Sequence, residues 1–475
     1  MVSWRDGTRT EKLPVRCQQS RDRRISGAGD QRRFHLPEEN CLNAISSSRF
    51  VQWEKERSNA LLFRLMQLRC HIHNPCGVRM IPPVSFPSRQ LYYGMSNIVW
   101  DALHPNVRSL FQSQSRPVLA LAPMEDVTIL PFRRIMKRNG ADLVYTEFVA
   151  AAGLVREVAS CIKKLEYEES ERPLTVQIYG SNPDEMARAA KMVERLVQPE
   201  FIDINLGCPV KKIAGRGDGA GLLKPDGYNS QRHAGAPTEL PPKNLESVVR
   251  SVVDAVSTPV TVKMRLGWDE RTIYVVESMQ WFKKWGVQFI ALHARTKAQA
   301  YTGKADWSYV KLAKEASELP IIGNGDLVSA ESIKQRWEET GCDGLMIGRG
   351  AITQPWLFRD AVALLEGRQL PPAPTLRDRV EQYLGMIAES IPMKGEFKAV
   401  IEMRKYLPGF LSGAFNAAHV RREVVQMNTL SEVETRLFAY VSERETDSEH
   451  PFPAHLAREE DAQFQQKFFS SHCSG

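Results

Sequence analysis

Long apolar runs are missing from this chain. No stretch reaches the ~18–20 consecutive apolar residues needed to cross a bilayer, which excludes a helical membrane span. The first residues hold no apolar core of the kind that marks a secretory signal. Cysteine is sparse, at 17, 41, 70, 76, 161, 208, 342 and 473, with no framework spacing. In a chain of 475 residues that argues against a disulfide scaffold and for free thiols in a reducing compartment. The cytoplasm is the expected location, with an organelle as the alternative. Asp6, Glu11, Asp22 and Asp30 among the N-terminal arginines weaken a transit peptide, which should be acid-poor.

Charge of one sign is also in short supply. The net charge is only +7, and residues 1–33 contribute about +5 of it. That balance is compatible with a nucleic-acid partner without requiring one. Cys70, His71, His73 and Cys76 crowd into seven residues with Pro75 between them. Four ligands so close cannot easily surround one ion, so no metal site is expected. Residues 1–110 show no sustained hydrophobic period and read as a poorly ordered basic extension.

From Pro117 short apolar runs alternate with stretches of helical period. The runs fall at 118–122, 143–147, 174–179, 201–205, 260–264, 289–293, 321–323 and 344–347. Helical stretches fall at 131–139, 149–164, 185–196, 245–256, 271–285, 308–318, 330–340 and 354–365. Eight strands alternating with helices over about 250 residues predict a (β/α)8 TIM barrel spanning 111–370, with a doubly wound open sheet as the alternative. Beyond Pro371-Pro372-Ala373-Pro374, apolar spacing predicts a small helical bundle over 375–441 decorated with Lys394, Lys398, Arg404, Lys405, Arg421 and Arg422. A disordered tail is expected over 446–475.

A barrel carries its chemistry just after each strand, and the polar residues collect there. The runs end in Pro123-Met124-Glu125, Glu147, Gln177, Asn205 with Cys208, Lys263 with Arg265, His293 with Arg295, Asn324-Gly325-Asp326 and Gly348-Arg349-Gly350. Cys208 sits between a glycine and a proline on a loop that also holds Lys211, Lys212 and Arg216. Those cations are placed to lower a thiol pKa or to hold an anionic substrate; a buried apolar cysteine before an ordinary turn is the plainer alternative. The glycine-bearing ends of strands 7 and 8 are where barrels often bind a phosphate. Lys263 points toward the same mouth, Gln177 offers a donor and an acceptor to a planar heterocycle, and His293 and Arg295 suit anion binding or proton transfer.

Taken together, Ala122-Pro123-Met124-Glu125-Asp126-Val127-Thr128, Asn205-Leu206-Gly207-Cys208-Pro209, Val262-Lys263-Met264-Arg265-Leu266-Gly267-Trp268, His293-Ala294-Arg295-Thr296, Asn324-Gly325-Asp326 and Gly348-Arg349-Gly350 resemble the tRNA-dihydrouridine synthase family, closest to its bacterial-type members. The resemblance spans about 117–365 and, more loosely, the helical segment. It implies an FMN barrel reloaded by NADPH and a helical tRNA-binding domain. Cys208 would donate a proton to C5 of a uridine. Pro123, Met124, Glu125, Gln177, Lys263, His293, Asn324, Gly325, Asp326, Gly348 and Arg349 would hold the cofactor. Asn205, Arg265, Arg295 and Lys211 would hold the substrate. A monomer is expected. Rival readings are an FMN-dependent reductase of a free pyrimidine, an inactive tRNA-binding relative and a phosphate-binding barrel without flavin. Two departures stand out. Residues 224–243 form a Pro/Gly-rich insertion, and Tyr406 follows Arg404-Lys405 where many relatives carry a histidine.

Overall fold

The computed structural model describes residues 97–228 and 240–448. The Cys/His cluster at 70–76, residues 229–239 of the insertion and the tail from 449 lie outside the described residues. The strands are β1 (Val118–Leu121), β2 (Val144–Tyr145), β3 (Val149–Ala150), β4 (Leu174–Tyr179), β5 (Phe201–Leu206), β6 (Val260–Arg265), β7 (Ile290–His293), β8 (Ile321–Asn324) and β9 (Gly344–Ile347). All pair in parallel in the order β1-β9-β8-β7-β6-β5-β4-β2, and an Ala120–Leu143 bridge returns β2 to β1. The result is a TIM barrel, as the alternation of strand and helix predicts. Its staves are almost wholly buried and rich in Val, Ile and Leu, as a parallel sheet covered by helices requires.

Two sequence expectations need correction. The expected strand 143–147 and helix 149–164 are broken up. β2 and β3 pair in succession with β4, and two five-residue helices, Ala151–Val155 and Ala159–Lys163, follow. Glu147 interrupts the ladder, its carboxylate accepting from the Asp126 backbone N–H at 2.8 Å. Second, residues 97–112 do not belong to a loose extension. Helix α1 (Pro105–Gln112), capped by the His104 ring, buries Val107, Leu110 and Phe111. Phe111 meets Phe289 edge-on at 5.5 Å, and Phe289 meets Phe201 in the same way at 5.1 Å. Both partners lie at strand starts, so α1 closes the barrel floor.

Around the barrel run α2 (Leu130–Arg138), α3 (Pro183–Val197), α4 (Lys243–Val253), α5 (Val275–Lys284), α6 (Ser308–Ala316), α7 (Ala330–Thr340) and α8 (Leu357–Leu365). The C-terminal segment forms α9 (Leu376–Lys394), α10 (Glu396–Met403), α11 (Ala417–Val424) and α12 (Leu430–Thr446). Capping boxes start α9 at Thr375/Asp378 and α12 at Thr429/Glu432, so each helix satisfies its own first amides. No helix among the described residues is long and apolar enough to cross a membrane.

The helical segment is seated hard on the barrel. Tyr406 is fully buried, stacks on Phe132 at 4.9 Å and donates its hydroxyl proton to the Val127 carbonyl at 2.5 Å. A tyrosine in this place pins the segment to the barrel from inside the joint. Lys405 donates to the Asp126 carbonyl, Lys163 to the Met393 carbonyl at 2.8 Å, and Arg138 pairs with Glu389 at 3.0 Å. The approach is closest at Gly409, where a Cβ atom would fall 1.9 Å from the Ile352 backbone oxygen. Gly409→Ala is therefore expected to force the joint apart at a cost of about 2 kcal/mol or more. Thermal unfolding checks this: a Tm drop of several degrees is expected, and an unchanged Tm contradicts the tight seat.

Candidate active site

β-register decides which side chains meet inside the barrel. Gln177 pairs with Asp203, Asp203 with Thr261, Asn205 with Lys263, and Arg265 with His293. Alternate residues of a strand share a face, so these groups line up in layers inside the staves. The lower layer is a closed polar network. Asp203 is fully buried and accepts from the Thr261 hydroxyl at 2.6 Å and the Gln177 amide at 2.7 Å. Burial, partly offset by these bonds and by Lys263, pushes its carboxyl up to about 6. Gln177 in turn accepts from the Asn205 amide at 2.8 Å.

Asn205 passes this order to the loop above. Its carbonyl oxygen accepts from the backbone N–H groups of Gly207 at 3.0 Å and Cys208 at 2.9 Å. Arg265 holds the loop from the other side, donating to the Gly207 carbonyl at 2.8 Å and to the carbonyls of Thr296 and Ala300. Gly219 (φ +54°) completes the seat, since a Cβ there would lie 3.1 Å from the Cys208 Cβ. Cys208 is in no disulfide, is 7% exposed, and stands on the wall of a cavity of about 870 Å³.

That cavity lies at the C-terminal ends of the strands and extends to the helical segment. Pro123, Met124, Glu125, Asn205, Cys208, Lys263, Arg265, His293, Asn324, Gly325, Asp326, Gly348 and Arg349 all border it. Lys263 has no hydrogen-bond or carboxylate partner among the described residues. Burial, reinforced by Arg265 and opposed by Asp203 and Cys208, lowers its ammonium to about 8. Burial beside Arg265, Lys263, Arg295 and Arg349 holds the His293 imidazole well below its usual range, so it is neutral at pH 7. Arg265 itself is lowered to about 10, chiefly by burial. Burial would raise the Asp326 carboxyl, but Arg295 and the Ala305 amide outweigh it and hold it below the ordinary value.

Three expected ligands stand elsewhere. Gln177 does not border the cavity and is spent in the network below it. Arg295 is 2% exposed, with its guanidinium clamped by Asp326 at 2.9 and 2.8 Å and by the carbonyls of Thr302 and Gly303. These bonds tie the Arg295 guanidinium to the loops after β7 and β8. Lys211 is exposed and off the cavity wall. Asn324, although on the wall, donates its amide to the Met346 carbonyl at 2.6 Å, fastening β8 to β9.

Other wall residues were invisible to sequence spacing. The Tyr301 ring lies 5.5 Å from the Arg265 guanidinium and 5.1 Å from that of Arg349. Lys164, from the broken second crossover, pairs with Glu125 and approaches Glu147 at 4.0 Å. Lys394, Lys398 and Lys405 reach the rim from the helical segment. Only the basic residues of the helical segment had a sequence signal, in their charge.

A walled cavity at this end of a parallel barrel, with a thiol, a lone ammonium and a neutral imidazole facing into it, defines a TIM-barrel enzyme. The family model described as dihydrouridine synthase (Dus) matches residues 120–445. The chain belongs to the dihydrouridine synthase family. A probable tRNA-dihydrouridine synthase of Aquifex aeolicus is 35% identical over 321 residues, covering 67% of this chain and 94% of the relative. One of Rickettsia bellii is 34% identical over 311 residues, covering 65% and 90%. tRNA-dihydrouridine synthase B of Pasteurella multocida is 34% identical over 294 residues, covering 62% and 83%.

Keeping Lys263 charged in this site costs stability. Lys263→Met should raise unfolding free energy at pH 7 by about 1–3 kcal/mol. The folded-state pKa is depressed, so the gain is full below pH 8 and fades as pH rises toward the unfolded value near 10.5. Urea unfolding at pH 7 and pH 10.5 tests this; an equal difference at both pH values would exclude the charge as its source.

Proposed function

We propose that this chain reduces uridine in tRNA to 5,6-dihydrouridine, with Cys208 as the proton donor. The observation that carries the reading is the thiol itself: one side chain, on a backbone held by Asn205 and Arg265, at the wall of the cavity that Lys263 and His293 also line. Family membership and the names of the relatives support the same reaction. FMN, reloaded by NADPH, supplies the hydride for C6 when bound.

The residues present suit that cofactor. Lys263 is a buried ammonium with no acceptor of its own, and an electron-rich ring nitrogen or oxygen beside it relieves the cost of its charge. Pro123 and Met124 provide an apolar wall for a flat ring, and Arg349, near Gly325 and Gly348, supplies positive charge for a phosphate. Asp326 bonds to Arg349 at 3.3 Å and keeps it on that side. The neutral His293 imidazole adds a donor without a second buried charge.

Protonation at C5 requires the Cys208 thiol, not its thiolate, so the loop cations serve the substrate rather than nucleophile activation. Burial of Cys208 keeps bulk water off the proton in transit. The uridine must leave its stack to reach this depth, which costs a few kcal/mol and favours loop nucleotides. The helical segment, α9–α12, is assigned the docking of the tRNA body, because a free base needs no such surface.

Dihydrouridine content of tRNA incubated with the protein, FMN and NADPH is the direct test. Wild type should form it, and Cys208→Ala should form it about 10²–10⁴-fold more slowly. A yellow protein that oxidises NADPH and leaves tRNA unaltered would instead favour a free-pyrimidine reductase.

A further inference from the structure

Several lysines of this protein are matched to carboxylates. Lys164 pairs with Glu125, Lys283 with Glu318, Lys314 with Asp343, Lys334 with Glu338, and Lys394 with Glu402. Beside the Cys208 loop two lysines are held by an aromatic ring instead. Lys297 places its ammonium 4.2 Å from the centre of the Trp268 ring and Lys224 places its own at 5.6 Å. Neither forms an ion pair among the described residues, and neither does Lys211, at the head of the short helix Lys211–Ala214 just after Cys208.

The ring is what holds this cluster. An aromatic face fixes an ammonium by its quadrupole without cancelling its charge, whereas a carboxylate neutralises what it fixes. Trp268 is itself immobilised: Lys297 N–H donates to the Gly267 carbonyl at 2.9 Å and Ala298 N–H to the Trp268 carbonyl at 2.8 Å. The adjoining carboxylate, Asp269, is occupied by the hydroxyls of Tyr228 and Thr272. Asp226 accepts from the Lys243 backbone N–H at 3.0 Å. No carboxylate among the described residues forms an ion pair with these lysines, and Lys224 and Lys211 repel the Lys297 ammonium. Burial and then Lys224, Arg265 and Lys211 lower the Lys297 ammonium from its usual value, in keeping with that repulsion.

We propose that Lys297 and Lys224, set on Trp268, form with Lys211 a subsite for an RNA phosphodiester next to the uridine presented to Cys208; the proposal rests on the functional reading above. Its position fits that role. Arg265 bonds the Gly207 carbonyl on one side and the carbonyls of Thr296 and Ala300 on the other, so the thiol loop and the Lys297 loop are tied through one guanidinium. The three lysines lie off the wall of the main cavity. They are therefore placed for a backbone that stays outside while its base enters. Lys224 opens the insertion, whose entry is fastened by Tyr228 to Asp269, so the insertion begins at the subsite.

The test is tRNA affinity of the FMN-loaded full chain as a function of salt, for wild type, Lys297→Ala/Lys224→Ala and Lys297→Arg/Lys224→Arg. Each phosphate that the protein no longer neutralises should lower the slope of log K against log salt by about 0.7. The double alanine variant is expected to bind about tenfold more weakly at low salt with a slope shallower by about 1.4. The double arginine variant should keep both affinity and slope. Normal affinity and slope in the alanine variant overturn the proposal. NADPH-driven flavin reduction is read in parallel. Slower reduction with intact tRNA binding assigns the phosphate to the dinucleotide and also overturns it. The expected fall in slope, in a chain that binds tRNA but forms no dihydrouridine, supports the subsite while defeating the proposed activity.

Discussion

One carboxamide organises the mouth of this barrel. Asn205 reaches down to Gln177 and through it to Asp203, and its oxygen reaches up to two amides of the thiol loop. A loop after a strand normally keeps some freedom, yet here the Cys208 backbone is referred to a network buried inside the staves. The Asn205, Gln177 and Asp203 side chains are bonded to one another, the condition under which buried polar groups rigidify rather than destabilise. Arg265 supplies the lateral tie. Once those bonds exist, the backbone that carries the thiol has little choice of position.

The joint between barrel and helical segment follows a different rule. It relies on shape and on a few specific bonds: Tyr406 to the Val127 carbonyl, Gly409 under Ile352, and Arg138 to Glu389. Several basic residues that look from sequence like free surface charge are used here. Lys405 and Lys163 end on backbone carbonyls, and Lys394 ends on Glu402. Lys394 is thereby neutralised, whereas Lys405 and Lys163, on uncharged carbonyls, keep their charge in a fixed position.

Much of the barrel is legible in the chain alone, because parallel strands covered on both faces are written as short apolar runs between amphipathic stretches. The two places where that reading slips have physical causes. Glu147 leaves the sheet to hold the Asp126 amide, so the run read as strand 143–147 keeps only β2, and β3 opens the stretch read as helix. Residues 97–112 are too short to show a sustained period, but Val107, Leu110 and Phe111 are buried and Phe111 plugs an aromatic floor built from distant strands. Strand-end position brings Cys208, Lys263, His293, Arg349 and most of the other expected residues to one cavity. It does not separate ligands from struts: Gln177 and Arg295 are polar residues at strand ends whose observed bonds run to protein groups, and only three-dimensional pairing reveals it. Tyr301 and Trp268 escape such a reading because aromatic rings that orient cations leave no spacing pattern.

The absence of a side chain at Gly409 has a reach beyond local packing. With the Ile352 oxygen filling that space, the helical segment sits in direct backbone contact with the barrel. A surface on α9–α12 and the thiol of Cys208 are then separated by a constant vector. If the helical segment grips the polymer as proposed, such a molecule would act as a caliper, choosing among equivalent bases by their distance from the gripped feature.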